Sequence, residues 1–156
     1  MNHIITIAGA GPGDPELLTI KAHKRLTEAE VVLYDALPGD AILKLAPKEA
    51  LFIYAGKLAN DGQNQQVRQA AINQTMLEMA HKGKKIVRLK GGDPMIFGRG
   101  GEEAAELAEA GVKFEIVPGI SSTIAGPAYA GIPVTQRDHC SQLTIFTGHE
   151  DPTKGE

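Results

Sequence analysis

Tryptophan is absent, and aromatic residues of all kinds make up 4% of the chain. Cysteine occurs once, at Cys140, so no internal disulfide can form, and the usage fits a reducing compartment. Cys140 is expected to be a small, partly buried residue. There is no excess of either charge. A net charge of -3 argues against bulk electrostatic binding to nucleic acid or to anionic membranes, although it leaves room for a local basic pocket. No apolar stretch approaches the length of a membrane span. Residues 1–10 are too short, and too abruptly followed by Gly and Pro, to be a signal peptide. Together these absences predict a cytoplasmic protein that binds neither nucleic acid nor membrane. The sequence also lacks a G-x-x-x-x-G-K-[ST] loop, a G-x-S-x-G elbow and Cys/His clusters with zinc spacing. His3, His23, His81, His139 and His149 are scattered, so no metal site is expected.

What is present is an ordinary globular composition, 42% hydrophobic and 22% charged over 156 residues, enough for one domain with a real core. Its 18 glycines are clustered at 9–13 and 91–101, and fall singly near 119, 126 and 131. Glycine between apolar runs suggests loops that a ligand's atoms approach closely.

Short apolar runs alternate with helical stretches. Strands are predicted over residues 4–8, 31–34, 51–54, 85–89, 114–117 and 143–147. A helix opens at Asp14 as N-cap with Pro15 in its first position and runs past Thr27, ending before Val31. Residues 40–45 form a short helix. Residues 63–82 form a long one, with Val67, Ala70, Ala71, Met76, Leu77 and Ala80 roughly on one face, and Gly83 stops it. Further helices cover 102–110, ended by Gly111, and 121–130. Strand then helix, repeated, predicts an α/β fold: an open, mainly parallel, five-stranded sheet with helices on both faces. The polar tail over 149–156 contains Pro152 and Gly155 and reads as a linker, leaving 1–148 as the domain.

Ligands of such sheets bind beyond the carboxyl ends of the strands. Gly9, Asp35, Gly56-Lys57, Gly91 and Gly119 each follow a predicted strand, so all of them converge on one edge. The first loop, Gly9-Ala10-Gly11-Pro12-Gly13-Asp14, fits a dinucleotide site poorly. Asp14 stands where a third Gly is needed and would repel pyrophosphate, and Pro12 removes a backbone donor. A tight turn without a ligand remains open for it. In the second loop, Gly91-Gly92 permits close approach of a flat group. Asp93 there can accept hydrogen bonds from a ribose or an ammonium group, or simply cap the turn. Arg99, between glycines, offers a forked donor suited to a carboxylate, or a solvated surface charge. Asp35 reads alternatively as a strand-end turn residue, and Lys57 as an exposed lysine.

At this point the residues resemble a known family. The opening from Gly9 to Thr19 looks like that of the tetrapyrrole methylases. The block Val87-Arg88-Leu89-Lys90-Gly91-Gly92-Asp93-Pro94, with Ile96-Phe97-Gly98-Arg99-Gly100-Gly101-Glu102-Glu103, resembles their uroporphyrinogen-III C-methyltransferase branch. So do Val117-Pro118-Gly119-Ile120-Ser121-Ser122 and the run from Ala128 to Thr135. The resemblance extends from about Ile4 to His149. It implies a two-domain homodimeric enzyme that holds S-adenosylmethionine (SAM) in the cleft between domains and releases S-adenosylhomocysteine. Its substrate would be a small-molecule tetrapyrrole, methylated twice to give precorrin-2 for sirohaem or cobalamin. The chain would stop where the second domain begins, making it a truncated or fragmentary product.

Carried over residue by residue, the resemblance implies SAM contacts at Pro12, at Gly91, Gly92, Asp93 and Ile96, and at Ser121 and Ser122. Asp35 resembles the proposed proton acceptor and Lys57 the proposed proton donor. Arg99 and Arg137 would pair with substrate carboxylates. The departures fall near the substrate. Ala36 stands where the family usually has Arg, Gln136 where it has His, and the run 57–63 carries extra length. Rival readings are a sister enzyme acting on a later corrin precursor, or on protein or RNA, a dehydrogenase nucleotide domain, and a non-catalytic assembly domain.

Overall fold

The computed structural model describes residues 5–56 and 65–148. Five strands, β1 (Ile5–Gly9), β2 (Val31–Tyr34), β3 (Leu51–Tyr54), β4 (Ile86–Lys90) and β5 (Phe114–Val117), form one sheet in the order β3-β2-β4-β1-β5. Every pairing is parallel, with Ile5 opposite both Ile86 and Phe114, and Val31 opposite both Ile86 and Leu51. The expected α/β sheet is thus the one found. β1 and β4 are buried at every residue, as central parallel strands covered on both sides must be.

The helices are α1 (Ile20–Thr27), α2 (Gly39–Leu43), α3 (Gln65–His81), α4 (Gly100–Glu109) and α5 (Ser122–Tyr129). Strand residues alternate between faces, and the two core clusters follow that alternation. Ala22 and Leu26 of α1 and Ile42 of α2 pack with Ala8, Val32, Val87 and Leu89. Ile72, Met76 and Ala80 of α3 and Ala104 and Leu107 of α4 pack with Ile5, Ile7, Val31, Leu33 and Ile86. Helices α1 and α2 therefore cover one face, and α3 and α4 the other.

The chain falls into two compact units, Met1–Ser122 and Thr123–Glu156. The first holds the whole sheet. In the second, Ile124, Ala128 and residues 131–135 line an apolar hollow, and a turn is closed where Gln136 N–H donates to the Cys140 carbonyl at 3.0 Å. No helix among the described residues is long and apolar enough to cross a membrane.

Four expectations are corrected. Residues 143–147 form no strand: Leu143 and Phe146 are exposed, and no neighbouring strand supplies the ladder that would satisfy their backbone. The helix expected from Asp14 is broken. Asp14 does cap a 3₁₀ turn, Pro15–Leu17, but Leu18 turns extended and Thr19 caps α1 afresh by accepting from Ala22 N–H at 3.2 Å. The buried stripe of α3 is Gln69, Ile72, Asn73, Met76 and Ala80, whereas Val67, Ala70 and Ala71 face solvent. A search for apolar residues misses it because two of its members are polar and buried for a reason given below. Cys140 is exposed, since it closes a surface turn. The linker expected over 149–156 lies outside the described residues.

Candidate functional site

Because all strands run parallel, their carboxyl ends share one edge, and the topology marks one point on it. From β1 the chain passes to α1 on one face, and from β4 it passes to α4 on the other. β1 and β4 are neighbours, so the loops leaving them diverge and a crevice opens between them.

Glycines let the backbone close the floor of this crevice. Ala10 N–H donates to the Lys90 carbonyl at 2.7 Å. Gly11 and Gly92 exchange hydrogen bonds of 3.1 and 2.7 Å as an isolated antiparallel bridge. A Cβ on Gly9 would meet the Gly92 carbonyl at 2.5 Å and the Gly119 Cα at 2.6 Å. One on Gly119 would meet the Gly9 Cα at 2.7 Å. Only glycine permits this approach, and it joins the loops after β1, β4 and β5 at one spot. Asp93 clips the same junction. One carboxylate oxygen accepts from Met95 N–H at 2.7 Å, and the other accepts from Gly119 N–H at 2.9 Å, 26 residues away.

Pro12, Gly91, Gly92, Asp93, Ile96 and Ser121 are therefore gathered as expected. Pro12 adjoins the Gly11–Gly92 bridge, Ile96 N–H donates to the Asp93 carbonyl, and the Ser121 Cα lies 3.7 Å from the Cβ position of Gly92. Ser121 is buried and Ser122 exposed beside it. Asp35 joins the same rim, for Leu37, two residues on, packs against Gly91, where a Cβ would meet its Cδ1 at 2.8 Å. One Asp35 oxygen accepts from Leu37 N–H at 3.0 Å, so the residue shapes a strand-end turn.

The remaining expectations fare differently. Lys57 lies outside the described residues. Arg137 belongs to the second unit, where it is exposed on the Gln136–Cys140 turn, and it is not among the residues these contacts assemble. Arg99 opens α4 in a left-handed conformation, φ 58°. Its fork is engaged by Glu102, with Nε donating to both carboxylate oxygens at 3.0 and 3.1 Å, and that bond raises its pKa further. Phe97 is also left-handed, φ 52°, and exposed. The strain is held by Gly98 and Gly100 packed on the Pro94 carbonyl, which accepts from Gly100 N–H at 2.9 Å.

A buried charged cluster next to the rim was missed altogether. Arg88 and Lys90 are buried on the face of β4 that carries Ile86, and Glu103 of α4 is fully buried opposite them. One Glu103 oxygen, Oε1, accepts from Lys90 Nζ at 2.9 Å, Arg88 Nε at 3.2 Å and Gln69 Nε2 at 3.2 Å. Gln69 also donates to Asn73 Oδ1 at 3.2 Å, which explains the polar residues in the buried stripe of α3. Burial first, and then the neighbouring Arg88 charge, push the Lys90 pKa down, while Glu103 opposes both. The available signal was two cations at alternate positions of an otherwise apolar strand, which require a buried anion.

The rim suits an adenosyl cofactor better than a pyrophosphate. It presents main chain, with the apolar Ile96 and Ser121 beside it. Two cations of β4, Arg88 and Lys90, are buried and paired with Glu103. Pro12 and the Asp14 side chain, which accepts from Glu16 N–H, offer nothing to a phosphate.

Comparison with known proteins agrees with this geometry. Residues 5–156 match the family described as Tetrapyrrole (Corrin/Porphyrin) Methylases. The chain is 55% identical over 152 residues to the S-adenosyl-L-methionine-dependent uroporphyrinogen III methyltransferase of Methanosarcina barkeri, covering 97% of this chain and 58% of that protein. It is 54% identical over 145 residues to a uroporphyrinogen-III C-methyltransferase of Bacillus subtilis, covering 93% and 55%. Among solved structures, the Thermus thermophilus uroporphyrin-III C-methyl transferase complexed with S-adenyl homocysteine superposes with a TM-score of 0.72 at 46% identity, covering 86% of this chain and 54% of that one. The chain thus spans little more than half the length of these relatives. The glycine junction, the sheet order and the match over nearly the whole sequence place this chain in the tetrapyrrole methylase family.

Proposed function

We propose that the chain is the N-terminal half of a SAM-dependent uroporphyrinogen III C-methyltransferase, with residues 149–156 leading toward a second domain. The observation that carries this reading is the all-glycine contact of Gly9, Gly92 and Gly119, clipped by Asp93, on a chain half identical to relatives bearing that name. Pro12, Gly91, Gly92, Asp93, Ile96, Ser121 and Ser122 would hold the cofactor. Bound there, SAM supplies a methyl group already activated by its sulfonium, so the protein's task is chiefly orientation. As the pyrrole carbon bonds to the methyl group, the sulfur–methyl bond breaks, S-adenosylhomocysteine leaves, and the positive charge passes to the pyrrole ring, at its nitrogen. Asp35, half-buried at the rim, steadies that charge and takes up the proton at its carboxylate. Lys57 acts as proton donor, and Lys57, Arg99 and Arg137 pair with the substrate's carboxylates. Arg99 must exchange Glu102 for the substrate to do so. We read the complete enzyme as a cytoplasmic homodimer whose partners are small molecules, serving sirohaem and cobalamin synthesis.

The test is methyl transfer from labelled SAM to uroporphyrinogen III by the protein from its complete reading frame. Two methyl groups per tetrapyrrole are expected. Failure with uroporphyrinogen III, together with activity on a later corrin precursor, would transfer the chain to a sister enzyme. That reading has its own support, since the solved cobalt precorrin-4 methyltransferase superposes with a TM-score of 0.73 at 35% identity. The 156-residue chain alone is expected to bind S-adenosylhomocysteine weakly or undetectably by calorimetry. Micromolar binding would show that half a cleft suffices.

A further inference from the structure

We propose that Glu103 and Arg88 form a positioning pair for Asp35, an inference that rests on the role given to Asp35 above. The three guanidinium nitrogens of Arg88 face three different groups. Nε donates to Glu103 Oε1 at 3.2 Å, Nη1 donates to the Leu89 carbonyl at 3.2 Å, and Nη2 stands 3.9 Å from Asp35 Oδ2. Leu37 N–H holds the other Asp35 oxygen at 3.0 Å. The carboxylate is thus hydrogen-bonded on one side by its own turn and faces a planar cation 3.9 Å away on the other. That cation is in turn held by a residue with no exposure to solvent.

The positions follow from the sheet. Tyr34, just before Asp35, pairs with Leu89, so the end of β2 lies beside Arg88. Glu103 sits in the first turn of α4, and Lys90 and Gln69 converge on the same oxygen. The charges balance only when Asp35 is counted: Arg88 and Lys90 against Glu103 and Asp35. A buried cluster of this kind is no requirement for stability, since apolar residues of equal volume commonly serve as well. Holding one rim carboxylate in place accounts for it. Side chains of Arg88 and Glu103 are 4% and 0% exposed, so neither meets a substrate and both act through Asp35.

The test is steady-state kinetics of the complete enzyme with uroporphyrinogen III and SAM. Arg88→Met leaves Glu103 paired with Lys90. It is expected to lower kcat by about 10- to 100-fold, the scale of a displaced reacting group, with both KM values held within about two-fold. In an Asp35→Ala background the same substitution should lower kcat by less than about two-fold, because a shared task cannot be lost twice. Arg88→Lys keeps the charge, but its single nitrogen cannot span Glu103 and Asp35, and kcat should again fall. It carries the comparison if Arg88→Met does not fold. An active wild type with unaltered kcat in both Arg88 variants overturns this inference alone. So does an equal loss with and without Asp35, the mark of a purely structural role. A wild type inactive on uroporphyrinogen III overturns the functional reading as well.

Discussion

Asp93 is the most informative residue to remove, because its two bonds do different things. The bond to Met95 N–H closes a local turn two residues on, and much of it survives in an unfolded chain. The bond to Gly119 N–H spans 26 residues and exists only when the loops after β4 and β5 are docked. A hydrogen bond to a charged group contributes roughly 1.5–3 kcal/mol. Asp93→Ala is therefore expected to destabilise the chain by about 2 kcal/mol, nearly all of it from the Gly119 bond. Urea unfolding reads this directly. With a slope of about 1.5 kcal/mol per molar, the midpoint should fall by about 1.3 M. Asp93→Asn keeps one acceptor oxygen and should lose roughly half as much. Amide exchange supplies the local check, since the Gly119 N–H should lose protection in both variants. A midpoint that moves by less than about 0.3 M in Asp93→Ala, with Gly119 exchange unaltered, would show that the glycine contacts alone dock the loops.

Gly119→Ala should cost more than about 3 kcal/mol by thermal or urea unfolding, because its Cβ would enter the Gly9 backbone. Gly92→Ala has space, 3.7 Å to the nearest atom, but a φ of 62°, and should cost about 1 kcal/mol; equal costs would refute the packing argument. Leu107→Ala, in the fully buried core under α4, should cost about 3 kcal/mol, and a loss under about 1 kcal/mol would mean that the helix is not docked as described. Burial alone would raise the pKa of Glu115, but bonds from Arg25 and Lys21 outweigh it and hold the carboxyl down from 4.5 to about 2. A depressed pKa contributes stability above the unfolded value and loses it as pH falls from about 4.5 toward 2. Glu115→Gln should thus destabilise by on the order of 2 kcal/mol at pH 7, allowing for the exposure of Lys21, and by less than about 0.5 kcal/mol at pH 2. An equal effect at both pH values would remove the ion pair as the cause.

The strands and their direction were legible because a central parallel strand must be apolar on both faces, and residues 86–90 and 5–9 carry that signature apart from their charged members. The common edge followed from connectivity alone. What stayed hidden depended on contacts between distant residues. Nothing local distinguishes Gly92 and Gly119, which touch across the sheet edge, from Gly111 and Gly131, whose Cβ positions meet nothing within 4 Å. Asp93 looked like a ligand or a cap, and its bond to Gly119 could not be read from spacing. Gln69 and Asn73 broke an apolar search along α3 because their reason for burial sits on another helix, at Glu103. Residues 143–147 are rich in apolar and β-branched residues like a strand, yet a strand exists only when a neighbour receives its hydrogen bonds, and composition alone does not supply one.

The rim divides into a part built by backbone and a part built by side chains. At the glycine edge, Gly9, Gly11, Gly92 and Gly119 present main chain: no Cβ fits at Gly9 or Gly119, and Gly11 and Gly92 are held at positive φ. At the β2 end, Asp35 is set by Leu37 N–H and by Arg88, while Ala36 between them is exposed and takes part in neither contact. A change at position 36 therefore alters the exposed surface at the end of β2 without disturbing the turn or the charge cluster beneath it. Under the function proposed above, the departure at Ala36 would bear on the choice of tetrapyrrole and leave the cofactor residues untouched. Backbone geometry fixes the glycine junction, whereas the exposed side chains at the end of β2 are free to vary.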